Sequence, residues 1–529
     1  MAEKASQNLE DVIQQNKMLE QVVLQLFEKV ESLEEKLSLV DTPVIEDTIV
    51  IPEIIEQEEK KEYLPVDQKA EFIHRRLQFV TSEIAKINKH IGRDNLFDDE
   101  VTPLKEKSNS KEILVVCADY PHKDALYGGA FIPARVRAYI KEGFNVSVCI
   151  AKYPEGKKPT TIEEHEGVKI HIGEFSLLEE RIKKVNPGAI VVHSPIMQNY
   201  TTFKKLQVED RIMMIFHGFE VRDVGHLYYN FNNQILQNLN GILQMDLNRK
   251  YVALDAFRDK KIAKVFVSNF FKNLAVKDVG VAPFNVHVIS NLIESDIFDY
   301  KQKTKEDRLK IFSVRPYDNK NYGGDLIVDT ILKLSEKVFF NELSFHIQGF
   351  GKTFQEKTAP LRRFENVKIV EGILKREEIA TLHKKHGIAL IPTRFDTQGV
   401  SVGEAMSSGL VPITNKVAAI PEFIPESCAM LAEDNNVEQL ARGIEKLYYD
   451  ADLFLEKSFN AAQHINSICS YENTIQKELD LIYTINKTTP KKPVKPIKKS
   501  KVHRKKLLDK PYKKIPFRIY RRIFNKPIQ

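Results

Sequence analysis

Apolar residues in the first 40 positions recur in alternating steps of three and four residues. Ten positions keep this register, nine of them apolar: Leu9, Val12, Asn16, Leu19, Val23, Leu26, Val30, Leu33, Leu37 and Val40. Val or Leu at most a positions, mainly Leu at d, and a single Asn at an a position are typical of a two-stranded parallel coiled coil. We therefore expect a coiled coil over residues 1–40 and a homodimer joined through it. An amphipathic helix packed on the protein's own body is the alternative.

Two linkers and a second helix separate this repeat from the rest of the chain. Residues 41–63 are acidic and interrupted by proline, which is typical of a linker. Residues 64–92 again carry apolar side chains at heptad spacing, at Ile73, Leu77, Val80, Ile84, Ile87 and Ile91. We expect a helix there that extends the coiled coil or folds back on it, followed by a polar linker over 93–110.

From Lys111 onward, short β-rich runs alternate with amphipathic stretches. Near-continuous apolar runs such as EILVVCA, AIVVHS and RIMMIFH are typical of parallel strands that are buried on both faces. The alternation breaks at the charged run YKQKTKEDR and starts again at LKIFSVR. This pattern predicts an α/β fold with two doubly wound, Rossmann-like domains over 111–300 and 308–470. A ligand cleft is expected between them, at the C-terminal ends of the strands.

Composition indicates the compartment. The chain has 529 residues, 42% hydrophobic and 29% charged, which is ordinary for a globular protein, and its length fits about three folded units. Its four cysteines are far apart and lack C-x-x-C spacing, which argues against a zinc site or a disulfide framework. The N-terminus lacks the apolar core of a signal peptide, and no run approaches the ~18 apolar residues of a membrane span. We expect a cytoplasmic protein.

Positive charge is concentrated in the C-terminal tail. Residues 486–529 carry 17 Lys/Arg against one Asp, whereas the remaining chain carries 62 Lys/Arg against 72 Asp/Glu. The tail, 488–529, begins with alternating Lys and Pro, which favours disorder. On a helical wheel its last turns place Ile515, Ile519, Tyr520, Ile523 and Phe524 on one side and Arg518, Arg521 and Arg522 on the other. Such a basic amphipathic helix fits peripheral contact with the inner face of the cell membrane. An unspecific solvated tail is the alternative, and nucleic acid is not expected because no basic groove or known fold motif is present.

Glycines and a histidine follow predicted strands of the first domain. Gly128 and Gly129 precede a predicted helix, where paired glycines let a ligand approach the backbone and the helix N-terminus favours anions. A plain turn explains them equally well. His217 and Gly218 follow the strand RIMMIF. His217 is a candidate to hydrogen-bond a ligand hydroxyl, although a structural role is the commoner one for a lone histidine.

Two cations and two glycines follow strands of the second domain. Arg315 ends the strand LKIFSVR, and Lys320 lies in the loop before a Gly-Gly turn. Cations in this position are suited to hold a diphosphate and to offset the charge of a leaving group. A solvated loop that contains them by chance is the alternative. Gly349 and Gly351, in QGFGKTF, would permit close approach to a nucleotide, but a bare G-x-G fits a plain turn better.

The stretch RFDTQGVSVGEAMSSG carries the most informative pattern. Asp396 follows the strand IALIPT, and Glu404 lies at the start of the next helix. The backbone amides of residues 397–401 would then lie at the helix N-terminus, where they can cap phosphate oxygens. Carboxylates accept hydrogen bonds from vicinal diols, so the two acids are suited to a sugar and a ribose. The alternative is that Asp396 is an N-cap and Glu404 a first-turn partner of the helix dipole.

The run RFDTQGVSVGEAMSSGLVPITNKVAAIPEFI resembles the acid-x7-Glu signature of the retaining glycosyltransferases of family four, glycosyl transferases group 1, which have the two-Rossmann GT-B fold. The resemblance covers most of 111–487 and includes the Gly-Gly loop, the His-Gly pair, VISNLI and the Arg/Lys pair. Two positions depart from the family. Asp396 stands where Glu is usual, and Ala-Ala replaces the usual Gly-Gly before x-P-E, which leaves the role of Glu422 open.

The resemblance implies a role for each candidate residue. The catalytic residues would be His217, Asp396, Arg315 and Lys320. The donor-binding residues would be Gly129, Gly349, Gly399, Val400, Ser401 and Glu404. In this assignment His217 touches the donor sugar, Arg315 and Lys320 hold the diphosphate, and Glu404 binds the ribose. Asp396 and the amides that follow it contact the sugar and phosphate.

The resemblance also implies the reaction partners. They are a nucleotide-sugar donor and a glycan or lipid-linked acceptor, with retention at the anomeric carbon and neither metal nor cofactor. The one D-x-D pair, Asp450 and Asp452, fits a helix–loop junction better than a metal site. A helix over 471–487 would return to the first domain.

These observations predict a retaining glycosyltransferase of bacterial surface polysaccharide or glycoconjugate synthesis. Two alternatives stay open. A sugar-nucleotide epimerase also uses two Rossmann units, although the acid-x7-Glu spacing speaks against it. An inactive transferase-like scaffold would act through its coiled coil and basic tail, and Asp396 is the feature that supports it.

Overall fold

The computed structural model describes residues 102–104, 108–121, 128–129, 131–230 and 239–487. The predicted coiled coil, the acidic linker, the second helix and the basic tail lie outside these residues, so they stay predictions. Everything described below belongs to one compact unit of the chain, which ends at residue 488.

The N-terminal domain is built on an eight-stranded sheet in the order β3-β4-β2-β1-β5-β6-β7-β8. Its strands are β1 (Asn109–Val116), β2 (Asn145–Tyr153), β3 (Thr161–His165), β4 (Val168–Glu174), β5 (Pro187–His193), β6 (Ile212–Phe216), β7 (Ala263–Phe266) and β8 (Val286–Val288). Neighbouring strands are parallel except β3 and β4, which form an antiparallel pair at one edge. The helices are α1 (Ile132–Lys141), α2 (Ser176–Val185), α3 (Met197–Leu206), α4 (Leu239–Arg258) and α5 (Asn269–Val279). Two 3-10 segments, Glu209–Arg211 and Val224–Asn230, complete the domain.

Both faces of this sheet are buried. Ile113 and Val115 of β1 pack into one hydrophobic cluster, whereas Leu114 and Val116 pack into another. Every residue of β5 and β6 is buried. The alternation along β1 shows how a near-continuous apolar run serves two cores, one on each face of the sheet.

The C-terminal domain is built on a six-stranded parallel sheet in the order β11-β10-β9-β12-β13-β14. Its strands are β9 (Lys310–Pro316), β10 (Ser344–Phe350), β11 (Val367–Glu371), β12 (Ile388–Leu390), β13 (Val411–Asn415) and β14 (Met430–Ala432). Its helices are α6 (Gly324–Leu334), α7 (Phe354–Thr358), α8 (Arg376–His383), α9 (Val400–Ser407), α10 (Ile420–Phe423), α11 (Val437–Tyr449) and α12 (Ala451–Ile468). Short 3-10 segments lie at Lys305–Leu309, Lys320–Tyr322, Phe340–Glu342 and Ala359–Arg363.

The two sheets share a doubly wound strand order. In the C-terminal domain the third, second, first, fourth, fifth and sixth strands follow one another across the sheet, and β4-β2-β1-β5-β6-β7 repeat this order in the N-terminal domain. The order reverses between β1 and β5 and between β9 and β12. Ligands of such sheets bind at the carboxyl ends of the strands beside that reversal. The predicted α/β fold of two Rossmann-like domains is confirmed.

The last described helix, α13 (Ile475–Ile485), packs on the N-terminal domain although it follows the C-terminal domain in the chain. Its apolar residues Ile475, Leu479 and Ile482 join the cluster that contains Ile113 of β1. None of the helices in the described ranges is long and apolar enough to cross a membrane.

A buried ion pair fixes α13 against α1. Arg135 Nε donates to Glu478 Oε1 at 2.9 Å, and Tyr139 Oη donates to Glu478 Oε2 at 2.7 Å. The Arg135 side chain is 1% exposed and that of Glu478 is 0% exposed. Because an unpaired charge at such depth is costly, each partner of this pair depends on the other.

Candidate active site

Loops from the two domains meet across the predicted cleft. Thr397 Oγ1, in the loop between β12 and α9, donates to the His217 carbonyl after β6 at 2.5 Å. Beside it, Tyr229 Oη donates to Asn321 Oδ1 at 2.7 Å. The strand ends that carry the predicted site residues therefore face one another.

Arg315 is the buried cation at the end of β9. Its Nη1 donates to Ser401 Oγ at 3.0 Å, and its Nη2 donates to the Ile391 carbonyl at 3.4 Å. Burial lowers the pKa of Arg315 to about 10, and nearby Asp396 opposes this shift. Because that pKa is still well above neutrality, Arg315 is a cation fixed beside the first turn of α9.

The N-terminus of α9 offers free backbone donors next to Arg315. Gly399 is the N-cap, with a φ of +85° that suits glycine. The amides of Val400, Ser401 and Val402 donate to no other group within the described ranges. Helix N-termini of this kind attract anions, because the free amides and the helix dipole both point outward. Arg315 and α9 together form a cradle suited to a diphosphate.

Asp396 shapes the loop that enters this cradle. Its Oδ1 accepts from the amides of Gln398 at 3.1 Å and Gly399 at 2.7 Å. Two of the amides that we expected to cap phosphate are therefore taken by Asp396, and Val400 and Ser401 keep theirs. Asp396 is not the N-cap of α9, since Gly399 holds that position. Its second oxygen, Oδ2, makes no hydrogen bond to another described residue.

Glu404 lies one turn further along α9. Arg376 Nη2 is 3.3 Å from Glu404 Oε1, and the side chain of Glu404 is 16% exposed. Burial raises the pKa of Glu404 to about 7, against the opposing attraction of Arg376. Glu404 therefore titrates near neutrality although it lies beside a cation.

An alternating chain of charges continues from Glu404 to the other domain. Arg376 also pairs with Glu294, in the segment that joins the two domains. Arg137 of α1 donates to Glu294 Oε1 at 2.5 Å. The pKa of Glu294 is lowered because these two arginines outweigh its burial. Glu404, the residue predicted to bind the ribose, is thus linked through these charges to Arg137 of the N-terminal domain.

His217 and His193 form a pair at the ends of adjacent strands. Nε2 of His217 lies 2.8 Å from Nδ1 of His193, and the Phe131 ring packs on His217 at 4.1 Å between centroids. Burial lowers the pKa values of both imidazoles well below the usual value, and the charge of Arg135 adds to the effect. Both rings are therefore neutral at neutral pH, and the single shared hydrogen bond fixes their tautomers together.

The backbone of Lys320 is bonded to side chains of both domains. Its amide donates to Asn230 Oδ1 at 2.8 Å, and its carbonyl accepts from Arg394 Nη1 at 2.6 Å. Arg394 is held in turn by Asp325 at 2.7 Å. The loop that carries Lys320 is therefore fixed to both domains.

The predicted glycines serve different purposes. Gly129 has a φ of +59°, and a Cβ there would lie 2.5 Å from the Asp119 carbonyl, so its turn requires glycine. A Cβ at Gly349 would lie 2.5 Å from Phe354. Gly349 therefore makes room for an aromatic side chain of the protein itself.

Glu422 connects the two domains. Its Oε1 accepts from the Asn269 amide and its Oε2 from the Phe270 amide, each at 2.9 Å, at the start of α5. A carboxylate at a helix N-terminus is stabilised by the free amides and the dipole. The role that the sequence left open is thus an interdomain helix cap.

The D-x-D pair has structural partners. Asp450 Oδ1 accepts from the Leu453 amide at 2.9 Å and caps α12, while Asp452 lies 2.7 Å from Lys305. Among the residues that the structure describes, no group of three or more His, Cys, Asp or Glu side chains is arranged to hold a metal.

Two Rossmann-like domains that face each other across this cleft define the GT-B class of fold. Solved structures share it. Sucrose-phosphate synthase from Thermosynechococcus elongatus superposes with a TM-score of 0.54 at 14% identity, over 71% of this chain and 99% of that one. The catalytic domain of starch synthase IV from Arabidopsis thaliana gives a TM-score of 0.52 at 14% identity, over 71% and 99%.

Residues 309–450 match the family model described as Glycosyl transferases group 1. The resemblance to group 1 glycosyl transferases and the GT-B fold are therefore confirmed. Membership of the retaining family four stays a prediction.

Curated relatives match the chain in part. The phosphatidylinositol N-acetylglucosaminyltransferase GPI3 subunit of Saccharomyces cerevisiae strain YJM789 is 25% identical over 232 residues, 42% of this chain and 48% of the relative. The matching phosphatidylinositol N-acetylglucosaminyltransferase protein from Homo sapiens is 26% identical over 188 residues, 35% of this chain and 38% of the relative. The chain thus spans about half the length, or less, of these relatives.

Proposed function

We propose that the chain is a glycosyltransferase that moves a sugar from a nucleotide-sugar donor to a glycan or lipid-linked acceptor. The observation that carries this proposal is the cradle of Arg315 and the free α9 amides, opposite His217 of the other domain. A diphosphate needs buried cations and backbone donors, and a transferred sugar needs neutral hydrogen-bonding groups beside it.

In this reaction the donor diphosphate binds Arg315, Lys320 and the amides of Val400 and Ser401. The ribose hydroxyls replace Arg376 as partners of Glu404. The sugar lies toward the N-terminal domain. There Asp396 Oδ2 accepts a hydrogen bond from a sugar hydroxyl, and the neutral His217 donates a hydrogen bond to another hydroxyl or accepts one from it.

The proposed chemistry is retaining and independent of metal. The bond between the anomeric carbon and the β-phosphate oxygen breaks, and the acceptor oxygen bonds to that carbon on the same face. The acceptor proton passes to the departing phosphate oxygen. Arg315, Lys320 and the α9 amides stabilise the charge that develops on the leaving diphosphate. Electrostatic stabilisation of this kind is usually the largest single contribution to catalysis.

The names of the yeast and human relatives make a nucleotide-activated N-acetylglucosamine the first donor to test, for which we choose the UDP form, and a lipid acceptor the first acceptor. We place the enzyme in bacterial surface polysaccharide or glycoconjugate synthesis, as a cytoplasmic homodimer joined by its N-terminal coil. Its basic tail would contact the inner face of the cell membrane.

A donor screen tests the proposal. The full chain is mixed with UDP-, GDP- and ADP-sugars, and nucleotide release and binding are measured. At least one donor should bind and release its nucleotide in the wild type, and Arg315→Gln should slow release about 10²- to 10³-fold. Arg442→Gln, an exposed arginine of α11, is the matched control. Absence of binding and release with every donor would contradict the proposal.

A further inference from the structure

Arg222, in the loop after β6, is a cation of the cleft that no sequence pattern indicated. It is partly buried, and its guanidinium donates no hydrogen bond within the described part of the chain. A guanidinium has five N–H donors in a fixed fork, and buried polar groups are nearly always paired. Arg222 therefore keeps unused donors at a position where water has limited access.

The neighbouring arginines of the cleft are already engaged. Arg315 donates to Ser401 and to a backbone carbonyl. Arg394 donates to Asp325, and Arg249 donates to the Phe219 carbonyl and pairs with its own helix. Arg222 differs from these three because its guanidinium lacks such a protein partner.

Arg222 and Arg315 both lie near the carboxylate of Asp396. Asp396 and Tyr322 attract both guanidinium groups, one from each domain. Burial lowers the pKa of Arg222, while Tyr229, Glu220, Tyr322 and Asp396 oppose that shift. The side chain thus remains a cation, balanced by carboxylates that it does not hydrogen-bond.

The backbone beside Arg222 is kept clear. Gly218 has a φ of +151°, and a Cβ at that position would lie 3.8 Å from Arg222 Nη1 and 3.1 Å from Thr397. A side chain at position 218 would therefore narrow the gap between the two domains beside the guanidinium.

Phe395 holds the guanidinium in place. Its ring centroid is 4.8 Å from Arg222 Cζ, and it also contacts the rings of His226 and Phe270 in the N-terminal domain. Stacking on an aromatic face stabilises a cation and leaves its edge N–H donors free. Phe395 directly precedes Asp396, so the same aromatic side chain positions a cation and an acid of the site.

We propose that Arg222 binds an oxyanion of the nucleotide-sugar donor from the N-terminal side of the cleft, a role that rests on the proposed transferase function. The oxyanion is either a diphosphate oxygen or a carboxylate carried by the sugar. In both cases the guanidinium of Arg222 adds a second positive charge, from the N-terminal domain, to the one that Arg315 supplies from the C-terminal domain. Phe395 acts as the positioning residue.

Calorimetric titration of the full chain tests this role. UDP, UDP-glucose and UDP-glucuronate, or the GDP or ADP equivalents if those bind, are titrated into the wild type, Arg222→Gln, Arg222→Lys and the control Arg442→Gln. If Arg222 binds the diphosphate, Arg222→Gln should lower the affinity for all three ligands by about ten- to a hundredfold, which corresponds to the loss of one charge-assisted hydrogen bond. A carboxylate partner predicts the same loss for UDP-glucuronate alone.

The conservative variants keep the test decisive. Arg222→Lys retains the charge without the planar fork, so its loss should be smaller than that of Arg222→Gln. Phe395→Leu leaves Arg222 intact but removes the stacking surface, and it should weaken the same ligand. Circular dichroism and the unfolding midpoint verify that each variant is folded.

Two outcomes would overturn the inference. If the wild type binds nucleotide and Arg222→Gln binds all three ligands with the same affinity, the role of Arg222 is overturned and the transferase proposal stands. Absence of nucleotide binding by the wild type overturns the transferase proposal and, with it, this role.

Discussion

The two Rossmann-like domains share a strand order but differ in the side chains at their strand ends. In the C-terminal domain, β9 and β12 lead into a cradle of one fixed cation, Arg315, and the free amides of α9. In the N-terminal domain, β5 and β6 end in two neutral histidines, His193 and His217. The strand ends of the C-terminal half are thus suited to an anion and the two histidines of the N-terminal half to uncharged hydroxyls, with Arg222 as a cation in the loop beside those histidines.

This difference shows that the shared scaffold determines where a ligand lies and the loops determine which chemistry is possible. The C-terminal half takes most of its groups from one short stretch, from Asp396 to Glu404, and adds Arg315 from the end of β9. The other half gathers His193, His217 and Arg222 from separate strands and loops. The complete site exists only where both halves meet.

The strongest test of the comparison concerns the helix that closes the N-terminal domain. Glu478→Ala leaves Arg135 buried without a partner, so the free energy of unfolding should fall by about 3–5 kcal/mol. Chemical denaturation measures the change. Glu336→Ala, which removes an exposed pair with Lys333, is the control and should cost less than about 1 kcal/mol. Equal effects of the two variants would contradict the structural role of the buried pair.

Arg315→Gln should reduce the transfer rate about 10²- to 10³-fold, because it removes a fixed donor from the developing charge of the diphosphate. Steady-state kinetics with the best donor measures kcat, and Arg442→Gln should leave it unchanged. A transfer rate within threefold of wild type would show that the cradle is not the site of charge stabilisation.

Glu404 should make donor binding depend on pH. Its pKa of about 7 means that the carboxylate that accepts ribose hydroxyls is lost below neutrality. Affinity for a nucleotide sugar should therefore fall by up to about tenfold from pH 8 to pH 6. Glu404→Gln should bind weakly at both pH values, and a parallel pH dependence in that variant would assign the effect to another group.

The same carboxyl has a predictable effect on stability. Because its pKa in the folded protein is raised, the folded state keeps a proton that the unfolded state has released. The contribution of Glu404 to stability is therefore present at low pH and lost as pH rises toward 7. Comparing wild type with Glu404→Gln between pH 5 and pH 8 isolates this change.

The smallest expected effect concerns the hydrogen bond between the two halves. Thr397→Val removes the donor to the His217 carbonyl and nearly keeps the shape of the side chain. The loss of one hydrogen bond should destabilise the transition state by about 0.5–1.5 kcal/mol, which lowers kcat/KM a few-fold. Thr397→Ser should restore most of the loss. Failure of serine to restore it would indicate that packing of the threonine methyl matters instead.

The sequence predicted both sheets because strands that are buried on both faces of a parallel sheet consist of near-continuous apolar runs. It also indicated Arg315, Asp396 and Glu404, since all three follow strands within short, motif-like stretches. The free amides at the start of α9 followed from the same local pattern. These features are local in sequence, so periodicity and spacing are sufficient to find them.

The sequence did not indicate His193, Arg222 or Phe395, because their partners come from another strand or from the other domain. His193 ends a buried strand next to that of His217, which was the one available signal. For Gly349 the sequence left open a plain turn and a close approach to a nucleotide, and it did not indicate that Phe354 packs beside this glycine. Contacts between residues that are distant in the chain produce no periodic pattern in the sequence, so they could not be predicted from it.

Amide hydrogen exchange tests the central claim most directly. The full chain is compared with and without a saturating nucleotide sugar, beginning with UDP-N-acetylglucosamine. The joint donor site predicts slower exchange at the amides of Val400–Val402 and in the loop that follows His217. Binding of a UDP-, GDP- or ADP-sugar that protects other regions and leaves both of these unchanged would contradict it.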